Sequence, residues 1–268
     1  MLPLVLIISG SFSNEEAILS KGYSLLPRQF DTRAYKFIFM NASQLFSSYR
    51  VTIFTTLTGT LLGLFITAMT AYVLSRRDFE WRNKFALYFF FTTLFSGGIV
   101  PWYILCVQYL HLNDTFAGLV VPMLLNVFNI IIMKSFMSEI PDAITESAKI
   151  DGAGDFLIFR TLILPLSKPV LATIGFFIAL AYWNDWFLSY IFMQNEKYFT
   201  LQFTLYRVLS IAQALKNTST SVVTGQSVLP SETLKLAMTV VATGPILLVY
   251  PFLQKYFIRG LTIGAVKG

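Results

Sequence analysis

Charged side chains are scarce in this 268-residue chain, at 13 % of residues, whereas soluble proteins have roughly 25 %. Apolar residues make up 55 % of the chain, and many stretches carry no charge at all. A water-soluble domain of this size is therefore excluded. Lipid is the expected solvent, and we expect the chain to be embedded in a bilayer.

Cysteine and histidine each occur once, as Cys106 and His111. One cysteine excludes an intrachain disulfide and a cysteine-based metal site, and one histidine excludes a His-x-x-x-His metal pair. We expect both residues to have ordinary packing or interface roles. The net charge of +6 does not gather into the basic stripe of a nucleic-acid-binding protein. We therefore expect no nucleic-acid partner.

Apolar runs are long enough in five places for the roughly 20 residues that a membrane-crossing helix needs. These runs cover residues 51–74, 85–107, 116–136, 170–193 and 234–254. A sixth apolar segment, Leu2–Ser11, is too short to span and lacks the basic region and cleavage site of a signal peptide. We expect it to be the end of a first span that begins before Met1. The sequence thus predicts an all-α, polytopic transmembrane helical bundle of six spans, the first truncated, in one domain over residues 1–268.

The basic residues indicate the topology. Segments 75–84 and 137–168, Lys134 just before the second segment, and the C-terminal tail together hold 11 of the 20 Lys and Arg residues. Short loops rich in Lys and Arg stay on the cytoplasmic side. We therefore expect both termini to be cytoplasmic and the loops 12–48 and 194–233 to be extracytoplasmic.

Glycines mark two features of the spans. Gly59 and Gly63 form a G-x-x-x-G, which allows close helix contact, although chance matches are common and ordinary packing explains it equally well. Gly97 and Gly98, just before Pro101, predict that the span over 85–107 loosens or ends there.

The cytoplasmic loop 137–168 has the pattern of a helical hairpin. Pro141 and Asp142 suit the first turn of a helix, and residues 143–150 form a short amphipathic stretch. The sequence Asp151-Gly152-Ala153-Gly154 predicts a sharp turn, after which a second helix runs over 156–164 and stops at Pro165. Such a hairpin is suited to a groove on another protein; the alternative is a hairpin that lies on the bilayer surface.

The spacing within this loop resembles a known family. Glu146-Ser147-Ala148, three residues, Gly152, nine residues and Leu162-Ile163-Leu164-Pro165 match the E-A-A-x3-G-x9-I-x-L-P signature of binding-protein-dependent ABC importer permeases. The departures are Ser147 for alanine and Leu162 for isoleucine. The string Tyr182-Trp183-Asn184-Asp185-Trp186 and the tail over 260–268 are similar to the maltose-type carbohydrate-uptake subfamily, specifically its smaller permease subunit.

The resemblance implies a type I ABC importer permease fold in the bacterial cytoplasmic membrane. It implies that the loop docks on an ATPase, and the contact residues expected from it are Glu146, Ser147, Ala148, Asp151, Gly152, Leu164 and Pro165. The implied partners are a second homologous permease subunit, two ATPase subunits, an extracytoplasmic solute-binding protein and a carbohydrate substrate, expected to be an oligosaccharide. No phosphate-binding G-x-x-x-x-G-K-[ST] motif occurs. We therefore expect no cofactor and no enzymatic activity in this chain, with ATP and Mg²⁺ bound by the partner ATPases.

Polar residues inside the spans are candidates for the transport path, because a polar group in lipid usually faces a partner or a cavity. The candidates are Asn126, Asn129, Tyr182, Asn184, Asp185 and Ser189. If 170–193 is one helix, Tyr182, Asp185 and Ser189 share a face. Aromatic rings beside amide and carboxyl groups suit a sugar. The alternative is an interfacial aromatic belt together with hydrogen bonds between helices.

Other functions remain open at this stage. An ABC permease for a non-sugar solute would share the loop, but the aromatic segment and the tail argue against it. An ion-coupled secondary transporter would be expected to have repeated halves and broken helices, and the sequence has no such repeat. A membrane-embedded enzyme would need paired carboxylates or a metal cluster within a span, and the sequence has neither. The loop 194–233 is expected to meet the solute-binding protein, or else to be a solvated connector.

Overall fold

The computed structural model describes residues 2–219 and 231–246, with side chains over 2–214 and 231–246. All regular elements in these ranges are helical, apart from one isolated bridge between Ser13 and Phe30. The helices are α1 Leu2–Ser11, α2 Glu15–Lys21, α3 Arg33–Phe39, α4 Ala42–Ser75, α5 Arg82–Leu94, α6 Ile99–Ile104, α7 Phe116–Val120, α8 Val127–Met137, α9 Asp142–Ile150, α10 Asp155–Ile158, α11 Leu164–Leu166, α12 Lys168–Trp183, α13 Phe187–Phe192, α14 Leu201–Ser219 and α15 over 231–246.

Wider or tighter turns extend some of these helices. α6 continues in π geometry over Leu105–Tyr109, and α10 does so over Phe159–Ile163. A 3₁₀ turn, Val121–Met123, follows α7, and another, Glu196–Tyr198, precedes α14. The second π segment ends just before Pro165, which cannot donate a backbone hydrogen bond.

α4 is the longest helix that the structure describes, with 34 residues. Among the described residues it is the one helix whose length and composition suffice to cross a membrane alone. It contains the predicted span 51–74 and begins nine residues earlier, at Ala42. At 1.5 Å per residue it is about 50 Å long.

The next three apolar stretches are bent. α5 meets the α6 segment, Ile99–Tyr109, at 114°, Phe116–Met123 meets α8 at 51°, and Asp155–Leu166 meets α12 at 86°. With each bent pair taken as one span, the described residues contain up to four candidate spans. The first bend falls at Gly97-Gly98, as the sequence predicted, and Gly98 has φ +87°, which a side chain would strain.

The prediction of one helix over 170–193 is wrong. α12 ends at Trp183, and α13 begins only at Phe187. The carboxylate of Asp185 accepts a hydrogen bond from the backbone N–H of Leu188 (Oδ2–N 3.1 Å). This local bond gives the backbone an alternative to the helix, and α13 therefore starts anew instead of continuing α12.

The predicted last span, 234–254, begins within α15, and its end lies outside the described residues. Within the loop 194–233, α14 occupies 19 residues. The middle of that loop and the tail over 260–268 lie outside the described residues.

The chain forms two compact units. The first comprises 2–52, 185–219 and 231–246 of the described residues, and the second comprises 53–184. In the first unit, polar pairs join the beginning of α4 to α14. The hydroxyls of Ser48 and Thr204 lie 2.7 Å apart, and Thr52 Oγ1 accepts a hydrogen bond from Leu201 N–H at 2.8 Å.

A buried carboxylate joins two distant segments of the same unit. Glu15 begins α2 and its side chain is 2 % exposed. It accepts hydrogen bonds from the backbone N–H groups of Ser231, Glu232 and Thr233 and from the hydroxyls of Ser231 and Thr233, at 2.9–3.2 Å. These donors form the first turn of α15, where the helix dipole favours a negative charge. Burial opposes ionisation, but the hydrogen bonds outweigh it and hold the pKa of Glu15 below its ordinary value.

The second unit has a continuous apolar core. It contains side chains from α4, α8, the segment after α9 and α12, namely Ala68, Ala71, Tyr72, Met133, Met137, Ile158, Phe159, Ile163, Val170, Ile174, Ile178 and Tyr182. The end of α4 and the loop 137–168 therefore share one core, which positions the loop.

Candidate functional site

The loop 137–168, expected to be cytoplasmic, contains a helical hairpin of α9 and α10, which we call the coupling hairpin (residues 142–163) after the role expected of it. The turn between its helices is closed by backbone hydrogen bonds from Gly152 N–H to Lys149 O (3.0 Å) and from Ala153 N–H to Ala148 O (2.9 Å). Gly152 has φ +81°, and no atom lies within 4 Å of where its Cβ would be. Glycine is therefore required here by backbone conformation and not by lack of space.

The inner face of the hairpin packs on the end of α4. Ile158, Phe159 and Ile163 are buried in the core, with Ala148 and Ala153 partly buried against it. The rings of Phe159 and Tyr72 have centroids 5.3 Å apart. The hairpin thus shares one apolar core with the end of α4, α8 and α12.

The outer face of the hairpin is exposed. It presents Glu146, Ser147, Asp151 and Gly152, and Ile150 beside them is 86 % exposed. These are four of the seven residues expected to contact an ATPase. Exposed apolar and acidic groups on one rigid surface are suited to a complementary partner.

Of the remaining three expected contact residues, Ala148 lies on the hairpin, and Leu164 and Pro165 follow directly after it. Ala148 faces the core, Leu164 is packed against the core, and Pro165 is exposed. The expectation that Pro165 ends the second helix is corrected by one residue. Pro165 lies within α11, which ends at Leu166, because proline is tolerated in the first turn of a helix.

Ion pairs connect the hairpin to the loop after α4. The carboxylate of Asp78 contacts both Arg76 (Nη2–Oδ2 2.5 Å) and Lys149 (Nζ–Oδ2 2.5 Å), and Arg76 Nη1 also lies 2.6 Å from Asp155 Oδ1. Arg77 pairs with Asp142 at 3.0 Å. The hydrogen bonds from Arg76 and Lys149 hold the pKa of Asp78 well below its usual range. The sequence analysis missed these pairs, because nothing in the local pattern indicates which distant charges meet.

Tyr182, a transport-path candidate, is buried and has a structural contact. It is 1 % exposed, and its hydroxyl donates to the backbone carbonyl of Val120 at 2.7 Å. Its ring lies against Gly59, where a Cβ would overlap it, and Gly63 approaches the carbonyl of Leu124. The two glycines of the G-x-x-x-G in α4 thus allow neighbouring groups to approach the helix closely.

Ser189 and Asp185 belong to one hydrogen-bonded group around Thr200. Ser189 Oγ donates to Thr200 Oγ1 and accepts from Thr200 N–H, both at 3.1 Å, and Thr200 Oγ1 also lies 3.1 Å from the carbonyl of Asp185. Ser189 is fully buried, whereas Asp185 is half-buried. Thr200 was missed because it lies outside the predicted spans.

The asparagines serve the helix ends. Asn126 caps α8 by accepting from Asn129 N–H (3.3 Å), and Asn184 donates to Leu180 O at the end of α12 (2.9 Å). Asn126 and Asn184 are exposed, whereas Asn129 is buried. Of the six path candidates, Asn126 and Asn184 are thus exposed, Asp185 is half-buried, and Asn129, Tyr182 and Ser189 are buried.

A family model described as "Binding-protein-dependent transport system inner membrane component" matches residues 59–263. The match contains the whole coupling hairpin and most of the chain. The chain belongs to this family.

Relatives of this inner membrane component match along its whole length. The chain is 39 % identical to the "Polygalacturonan/rhamnogalacturonan transport system permease protein YtcP" of Bacillus subtilis, and the alignment covers 100 % of this chain and 93 % of the relative. It is 42 % identical, over 100 % of the chain and 90 % of the relative, to "Protein LplC" of the same organism.

A solved structure, described as a bacterial ABC transporter involved in the import of the acidic polysaccharide alginate, aligns with a TM-score of 0.78. It covers 96 % of this chain and 90 % of the other, at 31 % identity. The predicted ABC importer permease fold is confirmed, as is the resemblance on which it rested. The count of six spans is consistent with the helices described and stays a prediction.

Proposed function

We propose that this inner membrane component is the transmembrane permease subunit of an ATP-binding-cassette importer that moves an oligosaccharide across the cytoplasmic membrane. The relatives support the substrate class. One is named for polygalacturonan and rhamnogalacturonan, another, 27 % identical over the whole chain, for arabinooligosaccharides, and the aligned structure for alginate. These carbohydrates differ in charge and in sugar, but all are chains of sugar units. The shared chemistry is therefore an oligosaccharide.

The observation that carries the proposal is the coupling hairpin. It presents an exposed outer face on a core shared with α4, and that face contains Glu146, Ser147 and Gly152 of the signature of the ABC permeases. We assign ATP hydrolysis to two separate ATPase subunits, one of which docks on this face. A second permease subunit completes the pore, and a solute-binding protein delivers the substrate to the loops 12–48 and 194–233.

The orientation follows from this assignment, with the hairpin and both termini in the cytoplasm. Single cysteines test it in a variant in which Cys106 is replaced. A cysteine at position 80 or 155 should resist a membrane-impermeant thiol reagent in intact cells, and one at position 30 should react. Labelling at position 155 from outside contradicts the orientation.

For the transport path, we propose that Asn126, Asn184 and Asp185 contact the solute, since Asn126 and Asn184 are exposed and Asp185 is only half-buried. Tyr182, Ser189 and Asn129 are buried, and we assign them to positioning the helices. We assign these two roles according to whether each side chain is exposed or buried within this chain.

The coupling role is tested with the two glycines of the hairpin turn. Leucine at Gly152 must adopt φ +81°, which costs about 1–2 kcal/mol and redirects the hairpin tip. Gly154 is the matched control, because it lies in the same turn with φ −72° and also has open space. Gly152→Leu should lose solute transport and binding-protein-stimulated ATPase activity several-fold while the complex keeps its size-exclusion profile, and Gly154→Leu should lose much less. Equal activity in the two variants contradicts the role of the turn.

A further inference from the structure

Four charged side chains, Arg76, Asp78, Lys149 and Asp155, form one connected cluster, which we call the charge clamp. Asp78 accepts from Arg76 through two bonds (Nε–Oδ1 2.8 Å and Nη2–Oδ2 2.5 Å) and from Lys149 Nζ (2.5 Å). Arg76 reaches Asp155 with its remaining terminal nitrogen (Nη1–Oδ1 2.6 Å). One guanidinium and one carboxylate thus connect the segment after α4 to both helices of the coupling hairpin.

The members of the clamp lie on either side of the Gly152 turn. Lys149 is in the last turn of α9, and Asp155 is in the first turn of α10. A cation at the end of a helix and an anion at its beginning also suit the helix dipoles. The clamp therefore binds the two helix ends that flank the tip. The other two members of the clamp, Arg76 and Asp78, follow directly after α4.

Arg76 is the least exposed member of the clamp, at 17 %. Its guanidinium lies 5.7 Å from the centre of the Tyr72 ring, within the range of a cation–π contact. Tyr72 itself contacts Phe159 in the hairpin. Charged and apolar contacts therefore act between the same two parts, the end of α4 and the hairpin.

The energies separate the roles of these contacts. Exposed ion pairs each contribute little to stability, whereas a fully buried apolar side chain contributes more. The apolar core is sufficient to hold the hairpin in place. Apolar attraction is not directional, however. The clamp fixes the orientation of the hairpin relative to α4 because it contacts the hairpin at two positions, Lys149 and Asp155.

We propose that the charge clamp is a positioning device that keeps the coupling hairpin and α4 together as one body throughout the transport cycle. This inference rests on the coupling role proposed above. When the ATPase moves the hairpin, the clamp makes the end of α4 move with it. Arg76, Asp78, Lys149 and Asp155 are thus positioning residues for transport, although none of them needs to touch the ATPase or the solute.

The first test removes the contact between Asp78 and Lys149 from each side. Asp78→Asn and Lys149→Met keep the approximate size of each side chain and remove its charge. Each variant should lower the solute transported per ATP hydrolysed several-fold, with the ATPase still bound to the purified complex. The double variant should fall no further than the worse single one, because all three lose the same contact. Lys84→Gln, a cation next to Trp81 and outside the hairpin, is the control and should leave the ratio unchanged.

The second test asks whether the contact stays closed. Asp78 and Lys149 are both replaced by cysteine in a Cys106→Ser background. The two cysteines are then joined by a short bifunctional thiol reagent, because cysteine side chains are shorter than the native ones. Before linking, the cysteine pair lacks the contact and should transport as little solute per ATP as the charge-removal variants. Linking should raise transport and stimulated ATPase activity to at least half of the parent's values. Loss of transport on linking, restored when a cleavable linker is reduced, overturns the proposal, because the contact must then open in each cycle.

The two proposals fail in different ways. If Gly152→Leu leaves stimulated ATPase activity normal, the coupling role is wrong and the clamp falls with it. If Gly152→Leu uncouples the complex while Asp78→Asn and Lys149→Met transport as much solute per ATP as the parent, the coupling role stands and the clamp alone is wrong.

Discussion

Replacing Glu15 tests how the loop 12–48 is attached to the last described helix. Glu15→Gln keeps the size of the side chain and removes its charge. In the parent, five donors from residues 231–233 converge on the two carboxylate oxygens. Glutamine offers one oxygen, and its NH₂ group must face donors. Two or three of the five bonds are therefore lost in a site that is 2 % exposed.

Hydrogen bonds to a charged group contribute about 1.5–3 kcal/mol each, and a donor left unsatisfied on burial costs about 1–3 kcal/mol. These terms overlap, since the donors belong to one turn. We expect a loss of roughly 2–4 kcal/mol in the free energy of unfolding. For a chain of this size about 2–4 °C is lost per kcal/mol, so the melting midpoint in detergent should fall by roughly 4–16 °C.

The control is Glu16→Gln, because Glu16 is the next residue in the same first turn and its side chain is exposed. Its midpoint should stay within about 1–2 °C of the parent, as expected for a surface change. The pH dependence adds a second readout. The pKa of Glu15 is lowered in the folded chain from 4.5, so its stabilising effect is complete above that pH and is lost as the pH falls through the lower folded value. An equal midpoint for Glu15→Gln and Glu16→Gln refutes the reasoning.

Two further predictions concern the spans. Gly59→Ala should destabilise the protein by about 1–3 kcal/mol, because the new Cβ would overlap the ring of Tyr182, and the melting midpoint and the yield of the complex should fall. Gly97→Ala, whose Cβ meets no atom within 4 Å, should leave both unchanged, and a Gly59→Ala protein as stable as the parent contradicts the close approach. Asp185→Asn should keep the fold, because asparagine caps a helix as well as aspartate does, while the apparent affinity for the solute or the transport rate falls several-fold with ATPase coupling retained. Unchanged transport per assembled complex removes Asp185 from the path.

Local patterns predicted the parts of the fold that depend on near neighbours. The coupling hairpin follows from Pro141, Gly152 and the amphipathic spacing of α9, all of which act within a few residues. The break at Gly97-Gly98 was predicted for the same reason, since glycine conformation is a local property. The family signature then gave the hairpin its expected role.

Contacts between residues far apart in the sequence could not be predicted from the sequence. Glu15 and Ser231 are 216 positions apart, and Lys149 meets a carboxylate 71 positions away. Either side chain could have been an ordinary solvated charge. The break after α12 was missed because residues 182–186 are mainly aromatic and read as a continuing apolar span, and only the structure places the carboxylate of Asp185 on a new helix end.

The length of α4 determines which bilayers suit the protein. Between Arg50 and Arg76 the helix has no charged residue, and this stretch is about 37 Å long, compared with roughly 30 Å for a typical hydrocarbon core. Such an excess is accommodated by tilting of the helix or by local thickening of the lipid. Because α4 has no break at which to shorten, the mismatch acts on the whole helix. Acyl-chain length is therefore a physical variable for this transporter, and vesicles made from longer lipids relieve a mismatch that shorter lipids increase.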